Sequence, residues 1–159
     1  MSVERANVDS RGWCSSDAPS RTFLTLLGAA LAANVTTIWA VQWLPMGDLG
    51  GWIELIDVVA RHDSAATLYS QYYTLPGGFE PNSLAVHVGA WLATLVRADT
   101  AAKILVSWYV LATPLSVLTV CRAFGRSSWL AFFSVPMVFN ALFNVGLLNF
   151  LIAFPLIFF

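Results

Sequence analysis

Charge is what this sequence has least of. Only 11% of its 159 residues are charged, against about 25% in an ordinary soluble domain. Together with 58% apolar residues and a mean hydropathy of +0.70, that deficit excludes a soluble chain and places the sequence in the membrane class. Lys and Arg never gather into a basic patch, so no nucleic-acid partner is expected. Cysteine is scarce as well. Cys14 falls in a polar tail and Cys121 at the end of an apolar run, a placement that fits neither a disulfide framework nor a metal site. A nucleotide-binding glycine loop, a zinc signature and a Ser-His-Asp spacing are all missing.

What the chain has instead is a series of apolar runs around one polar interval. Residues 1–21 are polar and of mixed charge. No short apolar core follows a basic start as in a secretory signal, so they are expected to form a disordered cytoplasmic tail. Residues 22–44 carry no charge and reach about 35 Å as a helix, enough to cross a hydrocarbon core of about 30 Å with some tilt. Trp39 and Trp43 suit an interfacial belt at its far end. Residues 101–121, with Lys103 near the start and Pro114 as an internal kink, form a second long run. A third covers 128–145, with Ser127 or Ser128 as cap and Pro136 inside it. Gly146 interrupts, and 149–159 begins one more apolar segment of about 16 Å, too short to span. From that segment the chain is expected to be the N-terminal part of a longer polytopic protein. The expected fold is all-α and integral to the membrane: a helical bundle with an outer loop that carries membrane-surface helices.

The polar interval, residues 45–82, holds Asp48, Glu54, Asp57, Asp63 and Glu80 against one base, Arg61, and His62. Over 50–63 the helical period puts Glu54, Asp57 and Arg61 on one stripe and apolar residues around the rest. Such a helix lies on a membrane surface or is covered by protein. Tyr69, Tyr72 and Tyr73 follow, then a Pro-Gly-Gly turn. The apolar helix expected over 82–97 is short for a span. If it crossed the membrane, Arg122 and Arg126 would share a side with the acidic loop, against the positive-inside rule. The preferred arrangement therefore lets it only dip or pack. Arg122 and Arg126 then join the N-terminal tail on the cytoplasmic side, and the acidic loop meets the 144–149 corner on the outer side.

Each candidate residue has a plain reading beside a chemical one. Asp48 is a general base or an oxygen ligand for a divalent metal ion, or the N-cap of the helix after it. Glu80 is a second acid that could converge with it, or a solvated loop charge. His62 and Asp63, as sequence neighbours, read as a surface turn. His87 on an apolar helix is a packing histidine or a phosphate contact. Asn140 and Asn144, expected on one helix face, and Asn149 beyond them hydrogen-bond across helices or line a polar substrate cavity.

A first span, Asp48 just beyond it, a loop with surface helices and Glu80-Pro81 at its end together resemble type C glycosyltransferases. These are polytopic enzymes that take a sugar from a polyprenyl-phosphate carrier on the non-cytoplasmic face. The stretch Phe139-Asn140…Phe143-Asn144-Val145-Gly146-Leu147-Leu148-Asn149-Phe150 is similar to one in bacterial membrane proteins of this broad type. The resemblance covers residues 22–159, the amino-terminal part of such a fold, and implies an incomplete enzyme module that would transfer sugar in intact form and be inactive alone. It implies a multi-pass protein of the inner (plasma) membrane with a cytoplasmic N-terminus, and a lipid-linked sugar as partner. It also implies Asp48 as base or metal-site acid, Glu80 as second acid, and Arg61 or His87 as holder of the carrier phosphate. The chain departs from members that follow the second acid with a basic residue and paired prolines; here Pro81-Asn82 stands there. The rival expectation is a non-enzymatic membrane protein or a solute transporter, in which His87 and the asparagines line a polar pathway. No signal for an oligomeric state is visible.

Overall fold

The computed structural model describes residues 19–75 and 81–158, and all regular structure among them is helical. The helices are α1 (Arg21–Ala40), α2 (Leu49–Arg61), α3 (Tyr69–Tyr72), α4 (Leu84–Ala93) and α5 (Ala98–Ala123). There follow a 3-10 helix (Ser128–Phe133), α6 (Ser134–Met137), α7 (Ala141–Val145) and α8 (Leu148–Leu156). The stretches 21–40, 98–123 and 128–145 are long and apolar enough to cross a membrane. At ten residues and about 15 Å, α4 covers half a hydrocarbon core. Most of the expected tail, Cys14 and Glu80 lie outside the described residues.

α1 and α5 run antiparallel. At the start of α1, Phe23 meets Trp129 and Phe132 edge-on, with ring centroids 5.3 and 5.8 Å away. The same cluster contains Leu118 from the last third of α5. At the other end, Lys103 from the first turns of α5 donates to the carbonyl of Val41, which closes α1, and its ammonium stands 5.8 Å from the Trp39 ring centre. A cation at a helix C-terminus offsets the exposed carbonyls and the dipole there. Trp39 completes the contact by donating its indole N–H to Ser107 Oγ at 3.1 Å. The segment 128–145 then climbs beside α1, tied on the way by the Asn34 amide to the Val135 carbonyl.

Two expectations about these runs are corrected. The first helix stops at Ala40 rather than near 44. Pro45 forces the residue before it out of helical backbone, Val41 is already extended, and Lys103 stabilises the carbonyl that is left over. The run 128–145 is not one helix. Asn140 adopts extended backbone and accepts the Phe143 N–H at 3.1 Å, so it starts α7 as a cap. The Tyr109 hydroxyl holds the break open by donating to the Val138 carbonyl at 3.0 Å. Asn140 and Asn144 still stand one turn apart on α7, the Asn144 N–H donating to the Asn140 carbonyl at 3.1 Å, but Asn140 is there as the cap that starts a new helix and not as a residue within a long one.

Small residues decide how the short helices pack. The contact of α4 with α2 and α5 uses Ala85, Gly89 and Ala93 on one side and Ala98, Ala101 and Ala102 on the other, all buried. Where lipid is as apolar as the side chains, such close backbone approach and the packing it allows replace the ordinary hydrophobic driving force. Ile56 of α2, with no exposed surface, fills the space beside Gly89. The apolar face of α2, with Leu49, Ile56 and partly buried Trp52 and Ile53, is thus covered by protein.

Candidate functional site

At the end of the bundle where α1 stops, the chain between α1 and α2 is latched to the corner between α7 and α8. Gly47 donates its N–H to the Asn144 carbonyl and Asp48 donates its own to the Val145 carbonyl, each at 2.9 Å. Trp52 adds its indole N–H to the Gly146 carbonyl at 2.8 Å. Gly146 sits at φ +90°, and a Cβ there would lie 2.9 Å from the Asp48 nitrogen. The left-handed turn and the close approach both call for glycine. Asp48 occupies the N-cap position of α2, yet its side chain makes no capping bond and remains exposed.

The sequence-derived candidates divide into two groups. Asp48 and Asn144 come together through the latch, with the Asn144 side chain exposed. Asn149 lies past the corner in the first turn of α8 and accepts the Ala85 N–H at 3.3 Å, capping α4 from another helix. His87, two residues along from Ala85, is exposed on that same α4. Arg61 is elsewhere. It closes the far end of α2, about 20 Å from Asp48 along the helix, and its Nε pairs with Asp57 Oδ1 at 3.2 Å. A group bound at Asp48 is out of its reach. Among the described residues no three His, Cys, Asp or Glu side chains converge as a metal site. Asp48 is the acid at this corner among the described residues, and Glu80 lies outside them.

No protein-family model, curated protein or solved structure matches this chain. Its chemistry has to be read from the geometry.

Sequence reasoning missed a second cluster, on the stripe of α2. The Tyr69 hydroxyl donates to Asp57 Oδ2 at 2.9 Å and the Tyr73 hydroxyl to Glu54 Oε1 at 2.8 Å. The two rings meet nearly perpendicular, centroids 5.9 Å apart. Each phenol holds its proton more tightly than usual: Tyr69 because it donates to Asp57, Tyr73 because it donates to Glu54. His62 and Asp63 do converge, at 2.7 Å. The signal was present in the sequence as two acids at i and i+3 facing two tyrosines four apart, but it needed the chain to fold back at Ser64. An open depression lined by Thr67, Leu68, Tyr69, Tyr72 and Tyr73 lies over this cluster.

Charges sort along the bundle. The end where α1 begins and α5 finishes carries Arg21, Arg122 and Arg126 among the described residues, with no acid. Asp48, Glu54, Asp57 and Asp63 belong to the connection between α1 and α4, which starts at the other end.

Proposed function

We propose that this chain is a multi-pass protein of the plasma membrane with its N-terminus in the cytoplasm. In this reading the Asp48 corner is the reaction centre of a glycosyltransferase-like module acting on the outer face. The observation that carries it is the latch: an exposed carboxylate, Asp48, fixed by its own backbone against the Asn144–Gly146 corner at the end of the bundle opposite Arg21, Arg122 and Arg126. Arg61, Arg97 and Lys103 balance those three bases at the acidic end, so the orientation rests on Arg5 and Arg11, which precede α1 in the sequence and tip the count of bases toward its side under the positive-inside rule.

In this role the Asp48 carboxylate takes the proton from an acceptor hydroxyl. The hydroxyl oxygen attacks the anomeric carbon, the bond from that carbon to the phosphate oxygen breaks, and the polyprenyl phosphate departs with the bonding pair. His87 is the phosphate contact compatible with the geometry, because it rides on the helix that Asn149 caps; Arg61 stands too far along α2. Asn144 offers its amide to sugar hydroxyls, and Glu80 is the candidate second acid. A divalent ion, if present, would be held by Asp48 together with the donor's own phosphate oxygens and would neutralise charge on the leaving phosphate.

The class of function is tested by adding a polyprenyl-phosphate sugar to the protein in lipid nanodiscs and, separately, by assaying proteoliposomes for solute uptake. Saturable binding of the lipid-linked sugar without uptake supports the reading. Uptake of a solute without such binding makes the chain a transporter instead.

A further inference from the structure

His62 follows the last residue of α2 and faces two oxygen atoms at once. Its Nδ1 lies 2.7 Å from Asp63 Oδ1 and its Nε2 3.0 Å from the Tyr73 carbonyl oxygen. An ionised carboxylate and a carbonyl both accept and neither donates, whereas a neutral imidazole has one N–H and one lone pair. Either neutral tautomer sets a ring lone pair against an oxygen. The imidazolium alone donates to both.

We propose that His62 is a pH-operated clasp, which as imidazolium holds the excursion from Arg61 to Tyr73 closed over α2 and on losing its proton lets it open. Tyr73 is tied at both ends, its carbonyl to His62 and its hydroxyl to Glu54. Tyr69, one helical turn earlier, covers Asp57. Opening the clasp frees the carbonyl anchor of that turn and loosens the cover over the α2 stripe, while the two phenols stay bonded to Asp57 and Glu54. The inference stands apart from the sugar-transfer reading, since neither Glu54 nor Asp57 has a part in it.

The surroundings fit a switch set by local contacts. Asp63 is the charged group acting on the ring. On α2, Glu54 is engaged by Tyr73, while Asp57 and Arg61 pair with each other. The described part of α4, packed against α2, brings His87 as its titratable residue. The hydrogen bond to the Tyr73 carbonyl, and then the bond to Asp63, raise the His62 pKa above its ordinary 6.5. A raised pKa means the folded form binds the proton more tightly. The clasp is therefore fully closed below the ordinary value and opens as pH rises through the folded one.

The test uses the full chain in nanodiscs with isotope-labelled histidine, the His62 signal being assigned by its loss in His62→Gln. Nitrogen chemical shifts then report the ring's protonation, and hydrogen exchange reports the Tyr73 amide, which donates to the Tyr69 carbonyl at 2.8 Å. The expected result is a His62 midpoint above 6.5 and a several-fold step in Tyr73 exchange, beyond the intrinsic pH dependence, at that same midpoint. In His62→Gln the step disappears, and in Asp63→Asn it moves to lower pH together with the histidine midpoint. A His62 midpoint at or below 6.5, or Tyr73 exchange that follows the intrinsic dependence in the native chain, overturns the clasp. Asp63→Asn keeps the test decisive should His62→Gln fail to fold.

Discussion

The backbone N–H of Asp48 donates to the carbonyl of Val145 at 2.9 Å, joining two points of the chain nearly a hundred residues apart. Because this bond and its neighbour at Gly47 use main-chain atoms, the position of the Asp48 carboxylate depends on the backbone of the Asn144–Gly146 corner and not on a side-chain partner.

Gly146→Ala should therefore loosen that corner. The substitution places a Cβ against the Asp48 nitrogen at 2.9 Å and forces alanine into left-handed backbone, which by itself costs about 1–2 kcal/mol. Unfolding in mixed micelles should show a loss of about that size or more. Trp52 fluorescence should report the change, because its indole N–H is bonded to the Gly146 carbonyl. Unchanged stability with unchanged Trp52 emission would mean the latch does not form.

Gly89→Ala tests the packing of α2 on α4. A Cβ there would stand 2.6 Å from Ile56 Cδ1 and 2.7 Å from Cγ1, and Ile56 is fully enclosed. Overpacking of this kind costs about 1–3 kcal/mol. Ile56→Ala alone should also destabilise, by leaving a cavity. The double variant should lose less than the two single losses added together, as residues in contact do. Additive losses would contradict the contact.

Glu54→Gln should move one tyrosine and spare the other. Tyr73 keeps its proton above the usual value of 10.0 because it donates to Glu54, and Tyr69 because it donates to Asp57. The favoured state is the protonated phenol. Each contact is complete below the ordinary tyrosine value and is lost as pH rises through the raised one. Ultraviolet difference titration of the variant should show the Tyr73 component shifted down and the Tyr69 component still elevated. A shift in both, or in neither, would break the assignment.

Topology can be read by placing single cysteines at Ser70 and Phe124 after replacing Cys14 and Cys121. With α1 and α5 antiparallel, membrane-impermeant reagents should label the two positions from opposite sides. Labelling of both from one side would overturn the orientation.

Much of this arrangement was legible in the chain, and the exceptions share a cause. The long apolar runs 22–44 and 101–121 gave α1 and α5 because length against bilayer thickness is a local property. The stripe of Glu54, Asp57 and Arg61 gave α2 because helical periodicity is local too. The break at Val138–Asn140 could not be read so, because it depends on the Tyr109 hydroxyl, 29 residues away, capturing a carbonyl. That Arg61 closes the opposite end of α2 from Asp48 follows from where the helix starts and stops, which the sequence pattern marked only roughly. His62 and Asp63 were discounted because adjacent residues seldom share a target. They converge here because the chain turns at the end of α2 and brings Tyr73 back to the ring.

The central claim concerns Asp48, and release of sugar from a polyprenyl-phosphate donor in proteoliposomes tests it most directly. The full-length protein should catalyse that release. Asp48→Asn in it, recovered at equal folded amount, should be slower by about a hundredfold or more, the usual loss when a general base is removed. Release by Asp48→Asn at the native rate would remove Asp48 from the chemistry, and no release by the full-length protein would contradict sugar transfer itself.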